Sequence, residues 1–206
     1  MKWYDLAASV YDRAISRTYL PYRQVAVQAL HLRPRLTVLD IGCGTGLNFE
    51  LILNAIGTQG TLIGIDSSTK MLNRARQKVD HQSWRNVHLL QLDARKLTRN
   101  DLEALTGSSV LIDSIICTLG FSVFSDWQAV FERSFALLES GGRYCVMDLF
   151  NDKVTLRTRI VSILANSDNS RQVWEPLEKR CEDYSEERYP VTHGDIVVVA
   201  SGTKSC

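Results

Sequence analysis

The sequence predicts a doubly wound α/β domain, in which a buried parallel sheet carries helices on both faces. Short runs rich in β-branched residues alternate with longer stretches whose apolar residues recur at helical spacing. The short runs are apolar almost throughout, as expected of strands covered on both faces. Right-handed crossovers between such strands give the doubly wound arrangement. With 206 residues, the chain is long enough for one domain with a sizeable core.

The predicted elements follow one another in a regular order. Strands are expected at 37–42, 61–66, 87–93, 110–120 and 143–150, with a last strand at 195–202. The helices between them are expected over 47–56, from Ser67 or Ser68 to 79, and from Ser125 or Asp126 to Leu138, where the glycines of ESGG (139–142) end the helix. Further helical segments are expected at 3–15, 20–31 and 153–166.

The composition narrows the classes of function. The 24 basic and 23 acidic residues give a net charge of +1, so no overall field recruits nucleic acid or an anionic membrane. The first residues lack a secretory signal, and no segment approaches the ~20 apolar residues that span a bilayer. The five cysteines form no CxxC pair and no metal-ligand spacing. We therefore expect a cytoplasmic protein with reduced cysteines, no metal site, no nucleic-acid partner and no stable membrane insertion.

A glycine-rich stretch, VLDIGCGTGLNFELI (38–52), joins the first predicted strand to the first helix of the sheet. Its glycines Gly42, Gly44 and Gly46 permit a tight turn, close approach of a ligand to the backbone, and exposed amides at a helix start. A plain turn would need only one glycine. Because ligands of open parallel sheets bind beyond the carboxyl ends of the strands, the stretch predicts a ligand-binding loop.

Three carboxylates near strand ends indicate which ligand this is. The glycines are spaced GxGxG and not GxGxxG as in dinucleotide-binding loops, and Asp40 would repel a pyrophosphate but attract an ammonium group. Asp66 ends the second strand and suits ribose hydroxyls, whereas Asp93 ends the third and can accept a hydrogen bond from an adenine amino group. An adenosine that carries an amino acid fits all three positions. That ligand is S-adenosylmethionine.

Four motifs occur in an order that is similar to a known family. VLDIGCGTG, GIDSS with MLNRAR, LLQLDA and LLESGGRYCVMD resemble the successive motifs of class I S-adenosylmethionine-dependent methyltransferases. The resemblance implies a Rossmann-like, seven-stranded sheet that is mostly parallel with an antiparallel last strand. It also implies a single methyltransferase domain over 1–206, with an N-terminal helical lid at 1–35, a cofactor-binding core at 36–150, and an acceptor-side segment with the last strand at 151–206.

The resemblance also implies which residues contact the cofactor. Those that face its methionine part are Asp40, Gly42, Cys43, Gly44 and Gly46; those around ribose and adenine are Asp66, Ser67, Met71, Asp93 and Ala94; Cys117 lies with 118–119 beneath the sulfonium. Structural explanations stay open for some of them. Asp66 and Asp93 would also serve as caps of the following segments, Met71 as helix packing, and Cys43 as a small spacer.

The stretch CTLGFSVFSDW after the fourth strand bears on the methyl acceptor. It lacks the NPPY or DPPY tetrad that holds a flat amide or nucleobase amino group, which argues against adenine, cytosine and glutamine acceptors. Its apolar residues Leu119, Phe121, Val123 and Phe124 suggest an apolar acceptor pocket, although half of them would face the core in a plain packing arrangement. We expect a small-molecule or lipid-like acceptor that is methylated at nitrogen, with oxygen or carbon as alternatives.

Two residues are candidates for a catalytic role. The segment WYDLAASVYDRA is similar to a lid stretch of quinone-biosynthesis methyltransferases, and it makes Tyr11 the candidate to approach the methyl group, with packing as an equal explanation. The tail from 171 to 204 is loosely similar to phospholipid-headgroup N-methyltransferases, in which Trp174 and His193 would match residues that reach the acceptor. His193 has an intrinsic pKa close to neutrality and could take a proton.

Three other functions remain open at this point. A dinucleotide-dependent oxidoreductase is disfavoured by the glycine spacing and by Asp40. A non-catalytic S-adenosylmethionine-binding protein would share every motif named above. Nucleic-acid methylation is disfavoured because no dense basic patch with interleaved aromatic residues is present.

Overall fold

A computed structural model describes residues 18–151, 167–191 and 195–205 of the chain. Seven strands form one sheet: β1 Thr37–Ile41, β2 Thr61–Asp66, β3 Val87–Gln91, β4 Ile112–Thr118, β5 Leu138–Phe150, β6 Cys181–Pro190 and β7 Ile196–Lys204. Their order is β3-β2-β1-β4-β5-β7-β6, and β7 runs antiparallel to both of its neighbours. The predicted doubly wound, mostly parallel sheet with an antiparallel last strand is confirmed.

The helices lie between these strands in the predicted order. They are α1 at 18–29, α2 Phe49–Ile56, α3 Thr69–His81, α4 Arg99–Thr106, α5 Trp127–Leu137 and α6 Glu175–Arg180, with a short 3-10 helix at Ala94–Lys96. Ser68 caps α3 by accepting a hydrogen bond from the Met71 amide, and Asp126 caps α5 in the same way. The helical segments predicted at 3–15 and 153–166 lie outside the described residues.

The core consists of two layers because alternate side chains of a strand point to opposite faces of the sheet. On one face, Leu39 belongs to a cluster with Leu102 of α4, Phe131 of α5 and Leu177 of α6. On the other face, the cluster contains β1 residue Val38 together with side chains of α1, α2 and α3: Ala26, Ile52 and Leu72. By the same alternation, Asp40 points toward the face that carries α1 and α2. A fully buried leucine or isoleucine contributes about 1.5–3 kcal/mol to such a core.

The fifth strand begins earlier than the sequence predicts. β5 already pairs with β4 at Leu138, which lies opposite Ile112, and the register then shifts before Ser114 pairs with Arg143. The predicted turn at 139–142 is therefore an irregularity inside the strand, where Gly141 has a φ of 77°.

α4, α6 and β6 are regular elements that the sequence analysis did not predict. For α4 the signal was present: Thr98 and Asp101 form a reciprocal capping box, and Gly107 ends the helix in the left-handed conformation. β6 gives no such signal, because it is an exposed edge strand with polar residues on both faces, held by backbone pairing with β7. No helix in the described part of the chain has the length and apolar character needed to cross a membrane.

Candidate functional site

The described residues of the predicted site lie at or near the carboxyl ends of β1, β2, β3 and β4. In the sheet, β2 lies on one side of β1 and β4 on the other, so Ile41 at the end of β1 is flanked by Ile65 and Cys117. The order of the strands reverses at this point. A crevice outside the carboxyl ends at such a reversal is where ligands of open α/β sheets bind.

The glycine loop follows β1. Its three glycines share a left-handed backbone conformation but differ in what a side chain would meet. Gly42, Gly44 and Gly46 have φ values of 64°, 57° and 74°, which side-chain-bearing residues rarely adopt. A Cβ at Gly42 would lie 3.0 Å from the ring tip of Phe124, and one at Gly46 would lie 2.6 Å from the buried ring of Phe49. At Gly44 the nearest atom would be a backbone oxygen 4.0 Å away, so a side chain there would project into open space.

Cys43 lies inside this loop with its side chain buried. Its backbone amide donates to the Ile65 carbonyl over 2.9 Å, which ties the loop to β2. The side chain is 6% exposed, and burial raises the pKa of the thiol well above its usual value. The sulfur is therefore neutral near physiological pH, and a neutral thiol is a poor nucleophile.

Asp66 connects the end of β2 to the glycine loop. One carboxylate oxygen accepts from the Gly44 amide over 2.9 Å, and the other accepts from the Ser68 amide over 2.8 Å. Burial raises the pKa of Asp66, and these backbone hydrogen bonds oppose the rise because they favour the ionised form. The two carboxylate oxygens have about four lone pairs between them, so the group can still accept from a ligand hydroxyl. Ser67 is exposed and Met71 is half-buried at the start of α3.

Asp93 lies two residues beyond β3, on the same edge of the sheet as Asp66. Its carboxylate accepts from the Arg95 guanidinium, with the Nε atom 3.0 Å from both oxygens, and from the Arg95 backbone amide. The Arg95 hydrogen bond lowers the pKa of Asp93. The capping role considered from the sequence is therefore present, and Ala94 beside it is buried.

The end of β4 supplies the third wall of the crevice. The Cys117 side chain is fully buried in the core, so only its backbone can face the crevice, and burial raises its thiol pKa. Leu119 has a φ of 56°, a conformation that costs a residue with a side chain about 1–2 kcal/mol, and its amide donates to the Met147 carbonyl over 2.7 Å. Backbone strain of this kind concentrates at functional sites.

The apolar residues of the loop after β4, which were expected to line an acceptor pocket, differ in how far they are buried. Phe121 is fully buried and belongs to the core. Val123 is 40% exposed, Leu119 is half-buried, and the half-buried Phe124 packs against Gly42 and Gly120. Leu119 and Phe124 pack in part against the two core clusters, and Val123 is the most exposed of the four.

A buried polar network lies beneath the glycine loop. Asp40 is fully buried, and both of its carboxylate oxygens accept from the Asn48 side-chain amide, at 3.1 and 3.2 Å. The same amide nitrogen donates to Thr118 Oγ1 over 3.1 Å. The guanidinium of Arg23 donates to Asn48 Oδ1 over 2.8 Å and also to Thr118 Oγ1. Burial raises the pKa of Asp40 to about 7, against the lowering effects of Asn48 and Arg23.

The sequence analysis identified Asp40 but missed its three partners. Asn48 stands in the quoted glycine-rich stretch, and a buried amide at a helix start could have been suspected from its position alone. Arg23 and Thr118 gave no signal, because their role depends on which helix packs against which strand end.

Three residues were expected to act near the methyl acceptor. Tyr11 and His193 lie outside the described residues. Trp174 is 2% exposed and packs edge-to-face on Phe150, with the Arg188 guanidinium 5.3 Å from its ring centroid. It is a core residue in this structure. In the described part of the chain, no group of three or more potential metal ligands comes together.

Known proteins share both sequence and fold with this chain. A family model described as a methyltransferase domain matches residues 39–144, just over half of the chain. Over 149 residues the chain is 29% identical to 2-phytyl-1,4-naphtoquinone methyltransferase from Thermosynechococcus vestitus, with 70% of this chain and 62% of that protein covered. The chain thus spans less than two thirds of the length of this relative.

Solved structures resemble the fold over most of the chain. Phosphoethanolamine N-methyltransferase 2 from Haemonchus contortus matches with a TM-score of 0.72 at 14% identity, covering 90% of this chain and 53% of that one. Geranyl diphosphate C-methyltransferase from Streptomyces coelicolor matches with a TM-score of 0.71 at 12% identity, covering 91% and 80%. At such identities the likeness establishes the fold.

Proposed function

Because the chain belongs to the methyltransferase-domain family and has the class I fold, we propose that it transfers a methyl group from S-adenosylmethionine to a small-molecule or lipid-like acceptor. The observation that carries this proposal is the loop at Gly42–Gly46. Its backbone lies bare at the reversal of the strand order, with the carboxylates Asp40 and Asp66 on either side.

The residues of the crevice fit a nucleoside that ends in an amino acid. Asp40 is a buried carboxylate whose oxygens, among the described residues, share a single amide donor in long hydrogen bonds. A carboxylate with spare lone pairs favours a cationic ligand group, such as an ammonium, and would repel a phosphate. The open space above Gly44 allows the main part of the ligand to lie against the loop.

The ribose and the adenine would lie along the ends of β2 and β3. Asp66 keeps capacity to accept from a ribose hydroxyl beside its backbone hydrogen bonds, and Ser67 and Met71 lie next to it at the start of α3. We propose that Asp93 and Ala94 contact the adenine, with Arg95 holding the Asp93 carboxylate ionised and in place. An ionised carboxylate is a strong acceptor for an amino group.

Little chemistry is required of the protein itself. When bound, S-adenosylmethionine supplies a methyl group on a positively charged sulfur, which is already activated for displacement. The chain therefore has to hold the acceptor in line and to exclude water. We propose that Leu119, Val123 and Phe124, which are half-buried or exposed after β4, form an apolar wall that holds the acceptor.

We propose nitrogen as the accepting atom. An amine attacks only in its neutral form, and an apolar wall favours that form because desolvation lowers the pKa of an amine. Tyr11 would approach the methyl group and His193 would take the released proton. Both roles stay predictions from the sequence.

A second candidate is methylation of a quinone-type ring at carbon or oxygen. The curated relative from Thermosynechococcus vestitus, which aligns over 149 residues, is a naphtoquinone methyltransferase. An aromatic ring would pack on the same apolar wall. The two candidates share the donor site and differ only in the acceptor.

The experiment is transfer of a tritiated methyl group from S-adenosylmethionine to a cell extract separated into lipid, small-molecule and polymer fractions. We expect label in the lipid or small-molecule fraction, and hydrolysis of the labelled product distinguishes methylamines from ring-methylated quinones. The matched control is Gly44→Ala, which should incorporate much less label than the parent protein at a donor concentration below its dissociation constant. Label confined to the polymer fraction would contradict the proposed acceptor class, and tight donor binding without any label would indicate a non-catalytic protein.

A further inference from the structure

Arg23 is a charged residue in a stripe of apolar ones. The buried positions of α1 are Arg23, Ala26 and Val27, and Leu30 follows directly after the helix; together they have the i, i+3, i+4, i+7 spacing of a helix face packed on a sheet. Arg23 is only 6% exposed. Arginine is almost never buried unless its charge is compensated, so this position requires an explanation.

The contacts of Arg23 lead from α1 to the ligand loop. Its guanidinium donates to Asn48 Oδ1, which fixes the direction of that amide, and the opposite end of the amide donates to both oxygens of Asp40. The guanidinium also donates to Thr118 at the end of β4. One side chain thus joins α1, the start of α2, and the ends of β1 and β4 within a buried network.

We propose that Arg23 is a positioning residue of the methyl-donor site, which holds Asn48 and keeps the Asp40 carboxylate charged and oriented toward the ammonium group of the donor. This inference rests on the proposed function, because it assumes that Asp40 meets an ammonium group. It assigns to α1 a role in donor binding that the lid prediction for 1–35 did not contain.

The charges around Asp40 support this role. The groups that act on it or respond to it are Arg23 from α1, Asp66 from the end of β2, Cys43 from the glycine loop and Cys117 from β4. Arg23 is the one cation that lowers the pKa of Asp40 among these described groups, whereas burial and Asp66 raise it. Without the guanidinium, burial and Asp66 would still raise the pKa of Asp40, and the lowering effect of Arg23 would be lost.

The test is the pH dependence of S-adenosylhomocysteine binding, measured by calorimetry from pH 5.5 to 9. In the parent protein we expect the affinity to rise through a midpoint near pH 7, where Asp40 ionises. In Arg23→Met the midpoint should move upward by about 1–2 pH units. The ionised fraction at pH 7 then falls from about a half to roughly a tenth or a hundredth, so the affinity should fall roughly 5- to 50-fold.

Two control variants separate this role from simple support of the helix. Arg143 donates to the Ala29 carbonyl at the other end of α1, so Arg143→Met loosens the same helix without touching Asp40. Its midpoint should stay at the parent value. Arg23→Lys keeps the positive charge and should retain a midpoint within about half a pH unit of the parent, which also covers the case that Arg23→Met does not fold.

A second measurement needs no ligand. The pKa of the Asp40 carboxyl can be followed by carbon NMR in the free protein. It should rise in Arg23→Met and remain at the parent value in Arg143→Met. The inference would be overturned if Arg23→Met changed neither the midpoint of the binding profile nor the pKa of Asp40, or if Arg143→Met shifted them as much as Arg23→Met. The proposed function would still stand. Absence of any binding by the parent protein would instead overturn the proposed function and this inference with it.

Discussion

Gly44 is the residue at which the proposed ligand site depends most directly on a missing side chain. Its φ of 57° is left-handed, and a Cβ would meet nothing nearer than a backbone oxygen at 4.0 Å. A methyl group at this position would therefore occupy ligand space and leave the protein core unchanged. Gly42 and Gly46 cannot test this as cleanly, since a Cβ there would crowd Phe124 or Phe49.

Gly44→Ala should weaken S-adenosylhomocysteine binding by at least about tenfold, while the unfolding free energy falls by only about 1–2 kcal/mol from the left-handed backbone. Gly107→Ala is the matched control. Gly107 has a φ of 72° with nothing within 4 Å of its Cβ position, but it lies at the end of α4. Gly107→Ala should lose as much unfolding free energy as Gly44→Ala, but calorimetry should show no loss of affinity for S-adenosylhomocysteine. Equal affinities for the two variants would remove the loop from the binding site.

At the residue scale, the sequence predicted the groups whose role is local and missed those whose role depends on packing. Glycines and strand-end carboxylates are recognisable because their chemistry follows from the neighbouring residues. Asn48 and Arg23 belong to the site only because α1 and α2 lie on the same face of the sheet as Asp40. No local pattern encodes that contact.

At the element scale, the glycine loop is held by its connection to β2. Asp66 accepts from the Gly44 amide and the Cys43 amide donates to Ile65, so the loop and the strand end form one unit. The loop conformation and the predicted ribose contact therefore depend on the same carboxylate.

Asp66→Ala should weaken S-adenosylhomocysteine binding by about 1–3 kcal/mol, the value of a hydrogen bond to a charged group. Asp66→Asn, which keeps one acceptor oxygen, should lose less. Ser68→Ala serves as the neighbouring control, because it removes only the α3 cap and should cost about 1 kcal/mol of stability without a loss of affinity. If Asp66→Ala binds as tightly as the parent protein, Asp66 has no part in the site.

The elements differ in how far their sequences predicted them. β1, β2 and β4 are apolar runs next to clear turn signals, and their predicted bounds agree with the structure to within two residues at each end. The cap of α4 was readable at Thr98 and Asp101, although it was not used. β6 was not predictable from side-chain pattern, because an exposed edge strand is stabilised by its backbone pairing and carries polar residues on both faces.

At the scale of the whole molecule, the burial of Asp40 makes the free energy of unfolding depend on pH. Its pKa is about 7 in the folded protein and near 4 in an unfolded chain, so the folded state binds the proton more tightly. Such a group favours the folded state fully below pH 4, and this contribution is lost as the pH rises toward 7. The buried carboxylate therefore costs stability at neutral pH, which is acceptable where function requires the charge.

Asp40→Asn should remove this dependence on pH. The difference in unfolding free energy between the variant and the parent protein should grow from pH 4 to pH 7, up to about 4 kcal/mol in favour of the variant, and level off above pH 7. Denaturant titrations at each pH measure it, with Glu50→Gln on the exposed face of α2 as the control. A difference that shrinks as the pH rises would contradict the raised pKa.

The fold as a whole was predictable because its periodic pattern and the order of its motifs agree. The surroundings of the acceptor were not, since they depend on how the loop after β4 packs: Phe121 is fully buried, whereas Leu119 and Phe124 are half-buried and Val123 is exposed. The sequence pattern does not show which of these four apolar residues are buried.

The central claim is that the crevice at the ends of β1 and β2 holds a nucleoside with an amino-acid end. A crystal structure of the protein grown with S-adenosylhomocysteine tests it most directly. We predict the amino-acid end against Gly42–Gly46 above Asp40, and the ribose hydroxyls within hydrogen-bonding distance of Asp66. A ligand bound elsewhere, or an empty crevice at saturating concentration, would contradict the claim.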